Sequence, residues 1–283
     1  MPALKKGDKG AAVKRLQESL MRLSYDLPKF GADGDLGDET LKAVMFFRRD
    51  HSGTVVGDNL PGSVPANVYD AVIAAAESVA AATAARPPNF LDIREHATIP
   101  IIGPRSWRSV TGITLHQTAV FMSENPPRWY GVHCHVGVLR NGSIYYVNDL
   151  NEAIVHGNLF NASEVGIEIN GQFEGVEDDP TTFWKPSPTA QPQKPSNQQI
   201  EAARAAVKWI CDEVASHGGR IRNIHAHRQS SKDRRGDPGS RIWRDVGIWA
   251  QNSLGLSDGG EGFKVGSGRP IPQKWDLRYS SAY

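Results

Sequence analysis

The sequence predicts an α/β protein with a small three-helix domain in front of the sheet-bearing part, and three observations carry that reading. Short apolar runs such as Ile113-Thr-Leu115 and Val165-Gly-Ile-Glu-Ile169 have strand character, and a long amphipathic pattern over 196–217 leads directly into another strand at 222–227. The first 76 residues instead show helical spacing throughout. Between the two regions, Arg86-Pro-Pro-Asn-Phe90 forces extended backbone and marks a boundary.

Taken in order, Val13, Leu16, Leu20 and Leu23 recur at helical spacing after a Gly-Asp-Lys-Gly turn. Leu41, Val44, Met45 and Phe47 do so after Asp38-Glu-Thr, and a third helix is expected after Pro65 through Val68, Tyr69 and Val72. The loop Gly31-Ala-Asp-Gly-Asp-Leu-Gly-Asp38 has the wording of a calcium loop. Counted from Asp33, however, the twelfth position is Val44 where an EF-hand needs Glu, so calcium is not expected. The Ala-rich stretch to Ala85 extends the third helix. Expected boundaries are 1–80 for the helical domain, 81–95 for a linker, 96–254 for the main domain and 255–283 for an irregular tail whose Trp275 and Tyr279 dock on the body.

Within the main domain, residues 181–195 contain four prolines and read as a long surface loop in which Phe183 and Trp184 are candidates to line a groove. Ser196-Asn-Gln-Gln199 matches a capping box, and Ile200, Ala203, Val207, Ile210 and Val214 trace one apolar face until Gly218-Gly219. The strand that follows delivers His227 at its exit.

At 283 residues with a net charge of +1, the chain can bury a sizeable core and carries no global charge pointing to nucleic acid. No segment resembles a membrane span, and the start Met-Pro-Ala-Leu-Lys-Lys lacks the apolar core of a signal peptide. A monomer made in the cytoplasm is expected. The two cysteines, Cys134 and Cys211, give neither a disulfide framework nor a CxxC metal signature. Cys134, between His133 and His135, reads as a small buried residue, with a nucleophile or ligand as the alternative.

His116, His227 and Asp237 form a set of N/N/O type. Three such protein ligands leave one tetrahedral position open for water, the arrangement of a catalytic zinc. With nine His in the chain the assignment is not unique, because His225 lies two positions from His227 on the same strand face.

Four motifs in order resemble the type 2 N-acetylmuramoyl-L-alanine amidases, which are related to the peptidoglycan recognition proteins. They are Gly112-Ile-Thr-Leu-His-Gln-Thr118, the hairpin Val132 to Val147, Val165-Gly-Ile-Glu-Ile-Asn170, and Ile224-His-Ala-His-Arg-Gln-Ser-Ser-Lys-Asp-Arg-Arg-Gly-Asp-Pro-Gly239. The resemblance implies a central mixed sheet flanked by helices, Zn2+ held by His116, His227 and Asp237, and Glu168 as general base and acid. Arg235 stands where related amidases often carry Lys and is implied to stabilise the oxyanion. His135 is a further residue expected to line the cleft. Leu4 to Gln17, Gly34-Asp-Leu-Gly-Asp-Glu-Thr40 and Phe47 before Arg48-Arg49 resemble a three-helix peptidoglycan-binding domain, which implies a substrate groove beside Asp33 and Asp35.

The activity implied is hydrolysis of the bond between N-acetylmuramic acid and L-alanine in peptidoglycan. It would degrade a cell wall reached in the periplasm or outside through a holin or a secretion machine, as endolysins and effectors do. The alternatives are a non-catalytic peptidoglycan receptor, which would lack a complete metal set, and a zinc peptidase cutting within the stem peptide, for which no HExxH is present.

Overall fold

The computed structural model describes residues 3–23, 25, 27, 29–52, 61–82 and 86–283. Spatial clustering of the backbone gives two compact units, Met1–Ala85 with Ala215–Gly218, and Arg86–Val214 with Gly219–Tyr283.

In the first unit, β1 (Leu4–Lys5) pairs antiparallel with β2 (Ser63–Val64), beside α1 (Ala11–Arg22), α2 (Asp38–Ser52) and α3 (Ala66–Ala82). The helical spacing places Val13, Leu16 and Leu20 of α1, Leu41, Val44 and Phe47 of α2, and Tyr69 and Val72 of α3 in one buried cluster. Gly34, at φ +81°, turns the loop between α1 and α2. The buried amide of Gln17 ties that loop down: its Oε1 accepts from Gly34 N–H at 2.7 Å and its Nε2 donates to Asp33 Oδ1 at 2.8 Å.

The second unit is built on six strands in the spatial order β10-β5-β9-β6-β7-β3: β3 (Phe90–Asp92), β5 (Gly112–Gln117), β6 (Val136–Val138), β7 (Ile144–Tyr146), β9 (Glu164–Ile169) and β10 (Asn223–Ala226). A separate pair joins β4 (Ile101–Pro104) to β8 (Glu152–Ile154). Only β6 and β7 run antiparallel within the large sheet, so it is mixed, as expected. β3 falls in the stretch assigned to the linker. Its three residues are too few for alternation to show, and it is a strand because it pairs in register with β7.

Alternation sorts the side chains of β5 and β9 onto two faces. Ile113, Leu115, Val165, Ile167 and Ile169 enter the core, and Thr114, His116, Gly166 and Glu168 take the other face. α4 (Asn197–Ser216) covers the apolar side with Ile200, Ala203, Val207, Ile210 and Val214, all buried. Ser196 Oγ caps it by accepting from Gln199 N–H at 3.1 Å. After β10, α5 (Ser240–Ile242), a π-helical turn (Trp243–Gly247) and α6 (Ile248–Leu254) add Ile242, Trp243, Val246 and Ala250 to the same core. Residues 255–283 contain no helix or named strand, but Leu256, Ile271 and Trp275 are buried in that core and Tyr279 packs against it. Among the described residues no helix is long and apolar enough to cross a membrane.

Candidate metal centre

β5 and β10 are parallel neighbours, and their register brings the two imidazoles together. His116 lies near the C-terminal end of β5, while His227 directly follows the last residue of β10, where a 3-10 turn (His227–Gln229) begins. The loop then returns through a second such turn (Lys232–Arg234) to Asp237. Two hydrogen bonds fix Asp237: Gln117 N–H donates to its Oδ1 at 2.9 Å, and Arg228 N–H donates to its carbonyl at 3.2 Å.

His116, His227 and Asp237 are 1%, 5% and 7% exposed, and one ligand atom from each lies within 4.8 Å of the others. His227 Nδ1 stands 2.9 Å from His116 Nδ1 and 3.0 Å from Asp237 Oδ2. A tetrahedral zinc site with bonds of 2.0–2.1 Å has ligand-to-ligand edges of about 3.3 Å. The donor set and its spacing therefore fit a single small divalent cation. The alternative, His225, is not part of this cluster: its Nδ1 lies 2.7 Å from Glu164 Oε1 and its ring is stacked between Phe160 and Phe263, with only its Nε2 unpartnered.

Glu168 stands beside His116 in register on β9, on the same face. Its Oε2 is buried without a hydrogen-bond partner. Burial, reinforced by the negative charge of Asp237 and opposed by Arg234, holds its pKa well above the usual carboxylate range. Burial, together with the proximity of the His227 and His156 imidazoles, pushes His116 well below the usual imidazole value, which keeps its ring neutral and able to ligate.

Next to Asp237 opens a cavity of about 230 Å³ lined by Gln117, Phe173, Phe183, Trp184, Arg234, Arg235 and Tyr283, among others. Trp184 is 63% exposed, so the proline-rich loop presents an aromatic wall there. The structure thus brings His116, His227, Asp237, Glu168 and Trp184 to one place.

Arg235 lines the same cavity but is engaged elsewhere. It donates to the Tyr283 carbonyl at 2.7 Å, and its guanidinium lies 4.3 Å from the centroid of the Tyr283 ring. The neighbouring Arg234 supplies the positive charge felt at His116 and Glu168. His135 does not reach the cleft: it is fully buried, its Nδ1 accepts from Gly166 N–H at 2.9 Å and its Nε2 lies 2.9 Å from the Glu152 carbonyl. Hydrogen bonds to two backbone segments hold it inside the fold. Cys134 is likewise buried, and burial raises its thiol pKa well above the ordinary value, against a nucleophilic role. In the first unit, the Asp33 carboxylate accepts from Gln17 and from Asp35 N–H, and Asp35 pairs with Lys9 Nζ at 2.6 Å. Both acids line a shallow hollow with Lys9 and Lys14.

Arg105, Glu164, Tyr283 and His156 carry no motif of their own in the sequence. Their partners lie 30 or more positions away in several cases, as for Arg105 with His135 and Arg235 with Tyr283, so no local motif signals them.

Residues 106–240 match the family model described as N-acetylmuramoyl-L-alanine amidase. Among curated proteins, a probable N-acetylmuramoyl-L-alanine amidase of Bacillus licheniformis is 50% identical over 46 residues, which is 16% of this chain and 13% of that protein. The type VI secretion system spike protein VgrG3 of Vibrio cholerae is 43% identical over 49 residues, 17% of this chain and 5% of that one. The chain thus spans a small fraction of the length of these relatives. Among solved structures, the N-acetylmuramoyl-L-alanine amidase LysC from Clostridium intestinale is 18% identical, covering 60% of this chain and 99% of that one with a TM-score of 0.40. Drosophila PGRP-LB is 16% identical, covering 57% and 92% with a TM-score of 0.40. The matched segment, just under half of the chain, contains both imidazoles, Glu168 and Asp237, so the part of the chain that is similar to the N-acetylmuramoyl-L-alanine amidase family is the part that holds the candidate site.

Proposed function

We propose that the chain is a zinc-dependent amidase that hydrolyses the bond between the lactyl group of N-acetylmuramic acid and the L-alanine of the stem peptide in bacterial peptidoglycan. The observation that carries this reading is the convergence of His116, His227 and Asp237 beside a raised-pKa Glu168 at the edge of an open cavity. Two neutral imidazoles and a carboxylate suit zinc and leave a position free. Zinc held there supplies a Lewis acid, which makes water acidic enough to attack near neutral pH and polarises the scissile carbonyl.

The side chains provide the rest. A carboxyl group held well above the usual carboxylate range by burial is suited to take a proton and give it back. Glu168 takes the proton of the attacking water and returns it to the leaving nitrogen, so that an amine rather than an amide anion departs. Arg234 places a cation where negative charge grows on the carbonyl oxygen. Phe183 and Trp184 offer apolar faces against which a sugar ring or the lactyl-peptide stem can lie. In this reading the first unit anchors the chain on the wall polymer, and the protein works as a lytic monomer of the endolysin or effector kind, made in the cytoplasm and released to the wall by a holin or a secretion machine.

Digestion of purified sacculi, with and without a chelator, tests the proposal. New amino termini should be those of L-alanine, and their release should stop when metal is stripped and resume when zinc is restored. Glu168→Gln should keep one zinc per chain while turnover drops by about 10²- to 10⁴-fold. A different new terminus, or full activity in metal-free protein, would overturn the reading.

A further inference from the structure

His156 touches the metal-ligand set yet has no part in the mechanism above. It lies two residues beyond β8, is 8% exposed, and its ring stands between Glu164 and His116. Hydrogen-bond accounting fixes where the protons are. His156 Nε2 lies 3.1 Å from the Glu164 carbonyl, which can only accept, so Nε2 carries the hydrogen. Among the described residues no carboxylate hydrogen-bonds to this buried ring, so it is neutral and its Nδ1 is a bare acceptor. That Nδ1 lies 3.1 Å from His116 Nε2, which must therefore donate. The one hydrogen of His116 is then on Nε2, and its Nδ1 presents a lone pair toward His227 Nδ1 and Asp237.

The surroundings of His156 are built for this. A Cβ at Gly166 would fall 2.7 Å from His156 Nδ1 and 2.8 Å from its Cγ, so only glycine at this point of β9 leaves room for the ring. His135 meets it edge to face with centroids 5.3 Å apart, and Asn161 Oδ1 accepts from His156 N–H at 2.9 Å.

We propose that His156 is a positioning residue for the metal centre: with the Glu164 carbonyl behind it, it locks His116 in the tautomer that ligates through Nδ1. The inference rests on the zinc reading given above. Hydrogen-bonded partners of this kind fix ring orientation and tautomer at metal sites.

Two measurements test it. Zinc affinity, read by competition with a chromophoric chelator, should fall about 10- to 100-fold in His156→Ala, and likewise in Gly166→Ala, where the ring is present but displaced. In zinc-free protein, ¹⁵N NMR should show His116 Nε2 protonated and Nδ1 bare in the wild type, and a mixture of tautomers in His156→Ala. Should His156→Ala fail to fold, Gly166→Ala carries both measurements. Variants that bind zinc as tightly as the wild type and keep a single His116 tautomer would overturn the proposal. A wild type that binds no zinc would instead overturn the metal reading, and the tautomer measurement would still decide whether His156 orients His116.

Discussion

Arg234 and Arg235 are adjacent, chemically identical, exposed and line the same cavity, yet they act on different groups. Arg235 is held by the carbonyl and ring of Tyr283, whereas the charge of Arg234 acts on His116 and Glu168. The resemblance implied the oxyanion role for Arg235, because position in the motif was the only guide and Tyr283 lies 48 residues further along. Arg234→Ala should lower kcat on a muropeptide by about 10²-fold, the cost of losing a charge-stabilising donor. Arg235→Ala should act mainly on KM, through the cavity wall it shares with Tyr283. Equal kcat losses in both variants would remove the distinction. His135 carries the same lesson: its sequence neighbourhood suggested a cleft residue, but its hydrogen bonds to Gly166 and Glu152 come from other strands.

Secondary-structure elements with a strong period were legible from the sequence. The two faces of β9 and the single apolar stripe of α4 follow from alternation and helical spacing, since each buries one side. The start of α4 was half legible. Ser196 caps Gln199 N–H as expected, but the Gln199 side chain does not reach back to complete a capping box. Its Nε2 instead donates to the carbonyls of Val138 at 3.3 Å and Asn170 at 2.9 Å, bridging the ends of β6 and β9. Gln199→Ala should therefore cost about 1–3 kcal/mol in urea unfolding, because the Asn170 carbonyl loses its buried amide donor while the Val138 carbonyl keeps only the Asn170 N–H. A loss of only a few tenths would mean that the helix start, and not the bridge, is what Gln199 serves. β3, β4 and β8 have three or four residues each, too short for a period to declare itself, and exist through pairing with partners distant in sequence.

At the scale of the whole molecule, the second unit keeps a layer of buried imidazoles beneath the metal centre. Burial lowers His135 well below its ordinary pKa of 6.5 and brings His156 down to about 3. As pH falls through about 6.5 the unfolded chain takes up protons that the folded one refuses, so stability present above that pH is lost on the way down. By about pH 5, His156 alone should remove about 2 kcal/mol. Urea midpoints of the zinc-free protein at about pH 7.5 and pH 5 check this, and a midpoint unchanged by acid would show that these rings protonate in the folded state. Sequence by itself determined the α/β class, the strand faces and the long capped helix, because periodicity is a local property of the chain; His116, His227, Asp237 and Glu168 were grouped through the resemblance, and the fold brings the first three within 4.8 Å of one another. Only the tertiary structure decided which arginine's charge acts on His116 and Glu168, that His135 is internal, that His156 stands behind His116, and that the tail packs on the core and supplies Tyr283 to the cavity. Each of these depends on side chains from separate elements meeting in a close-packed interior, where distance along the chain carries no information about contact.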